Sequence, residues 1–222
     1  MRSFRLLATA LVLTAPLLAA APAAACSVVS GYRAPTNLEL VEQADTIVIA
    51  EVLRPDDPNA GDTRDMPPSM RMFLLVRPTL LIKGAALPGE MRIFGSIAEG
   101  DYAGAVGDPD ELEAAHPLSY IGGCTRYIFP RGGTILLFLA RDEHGALVPL
   151  NPPFSRYAED VASPDARWVR AVRLYAEIAA LPARERRAAL VARRDALRAE
   201  ASDRDALAIA DDIDRSLRGD RR

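Results

Sequence analysis

GGCTRYIFPRGGTILLFLARDEHGALVPL, residues 122–150, is the stretch on which the fold turns. Within it Thr134 to Ala140 is an uninterrupted apolar run set between Gly132-Gly133 and Arg141-Asp142. The run is too short for a helix stable on its own and is rich in Ile, Leu and Phe, so it reads as a strand covered on both faces, the central strand of a sheet. Asp142 to Gly145 follows, and Gly145 can take the positive φ that closes a hairpin into Ala146 to Leu150.

Upstream of this stretch the chain alternates strands with loops. Pro88-Gly89 fits the centre of a type II turn and leads into Glu90 to Phe94, where Met91 and Ile93 alternate with Glu90 and Arg92. Before it, Met72, Leu74, Val76, Leu80 and Ile82 follow a period of two that turns one face inward, and Pro78 interrupts the run. A proline has no N–H for the ladder, so it predicts an edge or a bulge that bends this long strand, as a small closed barrel requires. Thr46 to Leu53 is β-branched and mostly apolar, a buried first strand. Thr36-Asn37-Leu38-Glu39 has the spacing of a capping box and starts a short helix that ends at Ala44-Asp45. Two long connections remain. Arg54 to Ser69 holds four prolines and reads as a surface loop. Gly95 to Tyr120 is a glycine- and acid-rich insertion in which Asp108-Pro109-Asp110-Glu111 predicts the capped start of a short helix.

Downstream, Asn151-Pro152-Pro153 stops the last strand of the hairpin, and Ser163-Pro164-Asp165 predicts a helix start. Trp168, Ala171, Val172, Tyr175, Ile178 and Ala179 then repeat at helical spacing, a stripe expected to pack on the sheet. Two further helical patterns, around Leu190 to Leu197 and from Ser202 to Leu217, are rich in Arg, Ala and Asp. Their narrow apolar faces predict solvated or partner-binding helices, and the Arg cluster from Arg184 to Arg198 reads as a solvated face, not a patch for anionic lipid.

The amino terminus places the chain outside the cytoplasm. Arg2 and Arg5 precede an apolar run from Leu6 to Ala21, and small residues end at Ala23-Ala24-Ala25 before Cys26, the three regions of a secretory signal peptide with an A-x-A cleavage site. That run is shorter than a spanning helix needs, so no transmembrane span is expected in the mature protein, which is periplasmic or secreted. A cysteine after small residues also fits a lipoprotein site, and a form lipid-anchored through Cys26 stays open beside the soluble one. Cys26 and Cys124 are the only two cysteines. An even pair in an oxidising compartment is expected to form a disulfide, Cys26 to Cys124, closing a loop on the order of 100 residues and contributing about 4 to 5 kcal/mol in the chain-entropy account.

The formal charge of −3 argues against a nucleic-acid binder, which would normally show a clustered basic face. Motifs for metalloprotease, serine-hydrolase, nucleotide or dinucleotide chemistry are missing. His144 falls in the hairpin turn. His116 lies near Asp108, Asp110 and Glu111 in the sequence, acids that a helix start explains without a cation. No catalytic residue, cofactor or metal site is therefore expected, and the functional expectation is a non-enzymatic binding module, with a structural envelope protein or lipoprotein lacking inhibitory activity as the alternative.

Taken together, an exported chain whose mature end is Cys26, a short helix leading through Ala44-Asp45 into TIVIAEVL, a strand ending LLIKG, the turn PGEMRIF, then Cys124 and GGTILLFLARDEHGAL, resembles the bacterial relatives of the tissue inhibitors of metalloproteinases. Those inhibitors share an OB-like barrel with netrin modules. The resemblance spans Cys26 to Leu150. It implies that residues 26–155 form an OB-like small barrel; with the signal peptide read over residues 1–25 and the C-terminal α-helical extension read over residues 156–222, which lie outside the resemblance, the chain is expected to be mainly β. The resemblance also implies a partner, a zinc metalloprotease or another envelope protein, with Cys26 placing its amine and carbonyl on the catalytic zinc and Ser27 entering the pocket beside it. The family's C-x-C start is not kept, because Val28 stands where the second cysteine would be.

Overall fold

The computed structural model describes residues 28–56, 73–98, 107–108 and 110–219. The expected signal peptide, Cys26, Ser27 and the greater part of the Arg54 to Ser69 loop lie outside the described residues. Along the chain come α1 (Asn37–Gln43), β1 (Thr46–Pro55), β2 (Phe73–Lys83), β3 (Met91–Phe94), β4 (Ser96–Ala98), a 3₁₀ turn (Pro117–Tyr120), β5 (Ile128–Pro130), β6 (Thr134–Arg141), β7 (Leu147–Pro149), β8 (Ala158–Asp160), α2 (Arg167–Ala179), α3 (Ala183–Ala199) and α4 (Arg204–Arg218).

β6 is the hub. Ile135 to Leu139 are wholly buried because β1 covers one edge while β7 and β8 share the other, at Leu139 to Arg141 and Ile135 to Leu137. All these pairings are antiparallel, and the sheet runs β3-β2-β1-β6-β7 with β8 added on β6. Its outer strands, β3 and β7, approach each other, so the sheet nearly closes. The fold is a small β-barrel with a C-terminal helical extension, as the alternating strands predict. β8 carries the sheet beyond residue 155, where the barrel is expected to end. Three residues between loops are too few to show a period of two.

The bend in the long second strand falls at the proline. The β1–β2 register slips at Ile49/Ala50, where Pro78 faces Ala50, and Thr79 uses its Oγ1 to donate to the Ile49 carbonyl at 3.1 Å. β3 pairs only with Phe73 to Val76, so the missing N–H of Pro78 costs no hydrogen bond to β3. α1 forms behind the expected capping box, with Thr36 accepting from Glu39 N and Glu39 reaching back to Thr36 N. Its other end is held by Lys83, the last residue of β2, whose Nζ donates to Val41 O at 2.7 Å and Ala44 O at 2.6 Å. Those carbonyls have no partner within the helix, so this side chain satisfies the C-terminus and ties α1 to the sheet.

α2 begins at Arg167, later than expected, because Ser163 spends its hydroxyl accepting from Asp165 N in a local turn ahead of the helix. Its stripe packs on the sheet as expected, and Trp168 stacks on Phe138 of β6 with ring centroids 5.9 Å apart. α3 is solvated, with Leu190 its one buried residue among the described residues. α4 departs from expectation. Ala206, Ile209, Ala210, Asp212 and Ile213 are all buried, two alanines, two isoleucines and one acid whose apolar face looks narrow in the sequence. Among the described residues no helix is long and apolar enough to cross a membrane.

Candidate functional site

Where the chain enters the described residues, Val28 and Val29 are both exposed, Val29 at 78%. Tyr32 closes a turn onto Val29 O at 3.0 Å around Gly31, whose φ of +82° suits glycine. The arm is fastened at two points. Tyr32 donates its hydroxyl to Pro153 O at 2.8 Å. Arg33 forms a two-pronged pair with Glu39, at 2.5 and 2.6 Å, so the arm is clamped to the first turn of α1. The hydrogen bond from Arg33 holds the Glu39 carboxyl below its ordinary value against the effect of burial.

A corner of backbone strain adjoins the arm. Cys124 and Phe154 both have positive φ, 61° and 56°, and Phe154 N donates to Cys124 O at 2.8 Å. A left-handed conformation costs a residue with a side chain about 1–2 kcal/mol, and such outliers persist where the surroundings over-determine them. The Phe154 ring stacks on Tyr120 at 5.5 Å and meets Tyr32 edge-on at 6.5 Å. Tyr120 and Ile121, at the end of the 3₁₀ turn, stand 46% and 55% exposed. Tyr32, Phe154, Tyr120 and Ile121 thus form a ridge of aromatic and aliphatic surface beside Cys124. No free cysteine occurs among the described residues. The other end of the expected bridge, Cys26, and the expected contact residue Ser27 lie outside the described residues.

The ridge rests on a buried polar cluster. Arg126 donates to Ala158 O at 3.1 Å, to Asp160 Oδ1 at 2.9 Å and to Ile128 O at 3.2 Å, and lies 4.8 Å from the Phe129 ring centre. Tyr157 donates its hydroxyl to Arg126 O, and burial pushes that phenol well above its ordinary value. Asp160 Oδ2 accepts from Gly107 N at 2.6 Å and is 3.7 Å from His116 Nε2. His116 N donates to Glu159 Oε1 at 2.9 Å, while its Nδ1 accepts from Leu118 N at 3.1 Å and so starts the 3₁₀ turn. Burial raises the Glu159 carboxyl, with Arg156 the main opposing influence. The insertion that carries Tyr120 and Ile121 is therefore fixed to β8 by charge-assisted bonds.

His144 is exposed in its hairpin turn beside Glu143. His116 is buried, and its acidic neighbours are Glu159 and Asp160, not the Asp108, Asp110 and Glu111 that adjoin it in sequence. Among the described residues no group of three or more His, Cys, Asp or Glu side chains is placed to hold a metal ion. Sequence reading missed Arg126, Arg156, Glu159 and Asp160. Their segments, TRYI and SRYAED, look like ordinary charged loop, and the only signal in them is charge set directly against aromatic and β-strand residues. The chain matches no protein-family model, no curated protein and no solved structure.

Proposed function

We propose that this chain is an exported, non-enzymatic binding module that offers its amino-terminal arm, headed by Cys26 and Ser27, together with the ridge of Tyr32, Phe154, Tyr120 and Ile121, to a protein partner. The observation that carries this reading is the aromatic and aliphatic ridge gathered at the strained Cys124–Phe154 corner, in which Tyr120 and Ile121 are exposed and Tyr32 and Phe154 half-buried. Aromatic side chains on a rigid base supply contact area at low ordering cost, the property that binding hot spots share. A disulfide from Cys26 to Cys124 would seat the first mature residue beside that ridge. The resemblance to the tissue inhibitors of metalloproteinases then gives the partner class, a zinc metalloprotease whose open coordination position accepts the Cys26 amine and carbonyl.

The test is a titration of mature protein, its Cys26 amine and Cys26–Cys124 cross-link verified by intact mass and non-reducing peptide mapping, against a panel of zinc metalloproteases. One extra alanine before Cys26 should abolish inhibition, and Ile121→Ser with Tyr120→Ala should weaken it by a factor of about 10 or more. Inhibition that survives the extension would remove the zinc mechanism. No inhibition by any form would remove the protease as partner, and an acylated Cys26 would favour an envelope lipoprotein.

A further inference from the structure

The turn that presents half of the ridge begins on a buried histidine. The ring of His116 is shut off from solvent, and its contacts fix where its proton sits. Nδ1 accepts from Leu118 N at 3.1 Å, so Nδ1 carries no hydrogen and the proton of the neutral ring is on Nε2, which faces Asp160 Oδ2 at 3.7 Å. The bond to Nδ1 caps the 3₁₀ turn of Pro117–Tyr120. Beyond the cap, Ser119 N donates to His116 O at 2.7 Å and Ile121 N to Leu118 O at 3.3 Å, while the Tyr120 hydroxyl turns back to accept from Ala115 N at 3.3 Å. Tyr120 and Ile121, the exposed members of the ridge, are thus positioned by a turn whose first bond needs a neutral histidine.

A second proton on this ring can go only to Nδ1, because Nε2 already holds one. It would set Nδ1–H against Leu118 N–H across 3.1 Å, turning an acceptor into a donor and stranding a buried amide. The surrounding charges do not offset that. Among the described residues they are Asp160 and Glu159 of β8, with Arg126 and Arg156 acting on them. Asp160 is already paired with Arg126 at 2.9 Å and takes Gly107 N at 2.6 Å. Glu159 accepts from the His116 backbone N at 2.9 Å, and burial raises its carboxyl against the pull of Arg156, so falling pH also withdraws the negative charge that would favour an imidazolium. We propose that His116 is a pH switch, in which acid opens the turn at Leu118 and releases Tyr120 and Ile121 from their place in the ridge. In the open turn the ring is an ordinary imidazole that takes its second proton below about pH 6.5, whereas the closed turn excludes that proton. The closed turn therefore binds fewer protons than the open one, and its stability is complete above that range and lost as pH falls. The open form gains about tenfold on the closed form for each pH unit below about 6.5, or about 100-fold at about pH 4.5. The consequence for a partner rests on the docking function proposed above, with the ridge holding at neutral pH and letting go in acid; the switch itself belongs to the free protein.

NMR of the free mature protein tests it. At about pH 8 the His116 ring should show a bare Nδ1 and a protonated Nε2. Protection of the Leu118 and Ile121 amides against hydrogen exchange should then fall about tenfold per pH unit from about pH 6.5 to about pH 4.5. Phe138 N, which donates to Tyr157 O at 2.9 Å inside the barrel, should keep its protection over the same range. His116→Asn supplies an acceptor that does not titrate, and asparagine is a strong cap, so its turn should stay protected down to about pH 4.5. His144→Gln removes the only other histidine and should leave the parent profile unchanged. The switch is overturned by a proton on Nδ1 at about pH 8, by Leu118 protection that holds to about pH 4.5, by an equal loss at Phe138, or by the same loss in His116→Asn. The first three readings need no variant, so the outcome does not depend on His116→Asn folding. No partner enters the measurement: a failed metalloprotease titration leaves the switch intact, and a failed switch leaves the ridge as a surface indifferent to pH.

Discussion

Asp212 tests whether the helical extension is part of the same folding unit as the barrel. It is 3% exposed and joins α4 to α2 through Tyr175 and to α1 through Asn37. Asp212→Ala leaves the Tyr175 hydroxyl and one Asn37 N–H buried without an acceptor, at about 1–3 kcal/mol for each stranded group. Arg215, at the partly exposed end of the network, turns to water and adds little. The expected loss is therefore about 4 kcal/mol, a large part of the roughly 5–15 kcal/mol that stabilises an ordinary domain. Tyr175→Phe removes the donor together with its need for a partner and should cost about 1.5–3 kcal/mol, one hydrogen bond to a charged group. The double variant should then be less damaged than the sum of the two by roughly 1–3 kcal/mol, because the tyrosine is no longer stranded. Urea denaturation followed by fluorescence suits the measurement, since Trp168 is the only tryptophan and stacks on Phe138 at the α2–barrel contact. A loss below about 1 kcal/mol for Asp212→Ala, or additivity within about 0.5 kcal/mol, would refute the network as a buried link. A separate, earlier unfolding step of the helices would show that the extension folds by itself.

Two further outcomes follow from the cluster beneath the ridge and from the corner beside β4. Burial raises Glu159 above its ordinary 4.5, so the folded chain holds this proton more tightly than the unfolded chain does, and the contribution of this group to stability falls as pH rises from about 4.5 through the raised value. Glu159→Gln keeps an acceptor for His116 N and should gain stability over the parent at about pH 8 but not at about pH 4; urea midpoints at the two pH values check the sign, and a variant weaker at the higher pH would contradict it. Gly95 has φ +151°, and a Cβ there would stand 2.8 Å from the Phe129 ring and 2.9 Å from Tyr127 O. Gly95→Ala should therefore cost about 1–3 kcal/mol and speed hydrogen exchange at the Ser96 amide, which now donates to Tyr127 O at 2.7 Å; unchanged exchange would show that the backbone absorbs the methyl group.

The parts of the molecule legible in the sequence are those whose causes lie within a few residues of one another. Thr36 and Glu39 are three apart and satisfy each other's backbone, so the capping box reads directly. Gly145 closes a hairpin because the turn beside it demands a positive φ. The run from Ile135 to Leu139 is apolar at every position because both faces of β6 are covered, and Pro78 marks a register slip because it carries no N–H. The Trp168 to Ile178 stripe likewise shows its period in full.

Tertiary structure decided the rest, because it brings together segments far apart in the chain. Asp212 looks like a surface acid on an arginine-rich helix, and only its bonds to residues 37 and 175 positions away make it a core residue. Arg126 becomes a buried support through Asp160, 34 residues on, and His116 through Glu159, 43 residues on. The ridge itself joins a residue of the arm, the end of a 3₁₀ turn and a corner after β7. Period and capping are set by the geometry of one local turn or strand. The burial of a charge depends on which distant partner arrives to offset its desolvation, and that meeting leaves no local pattern in the sequence.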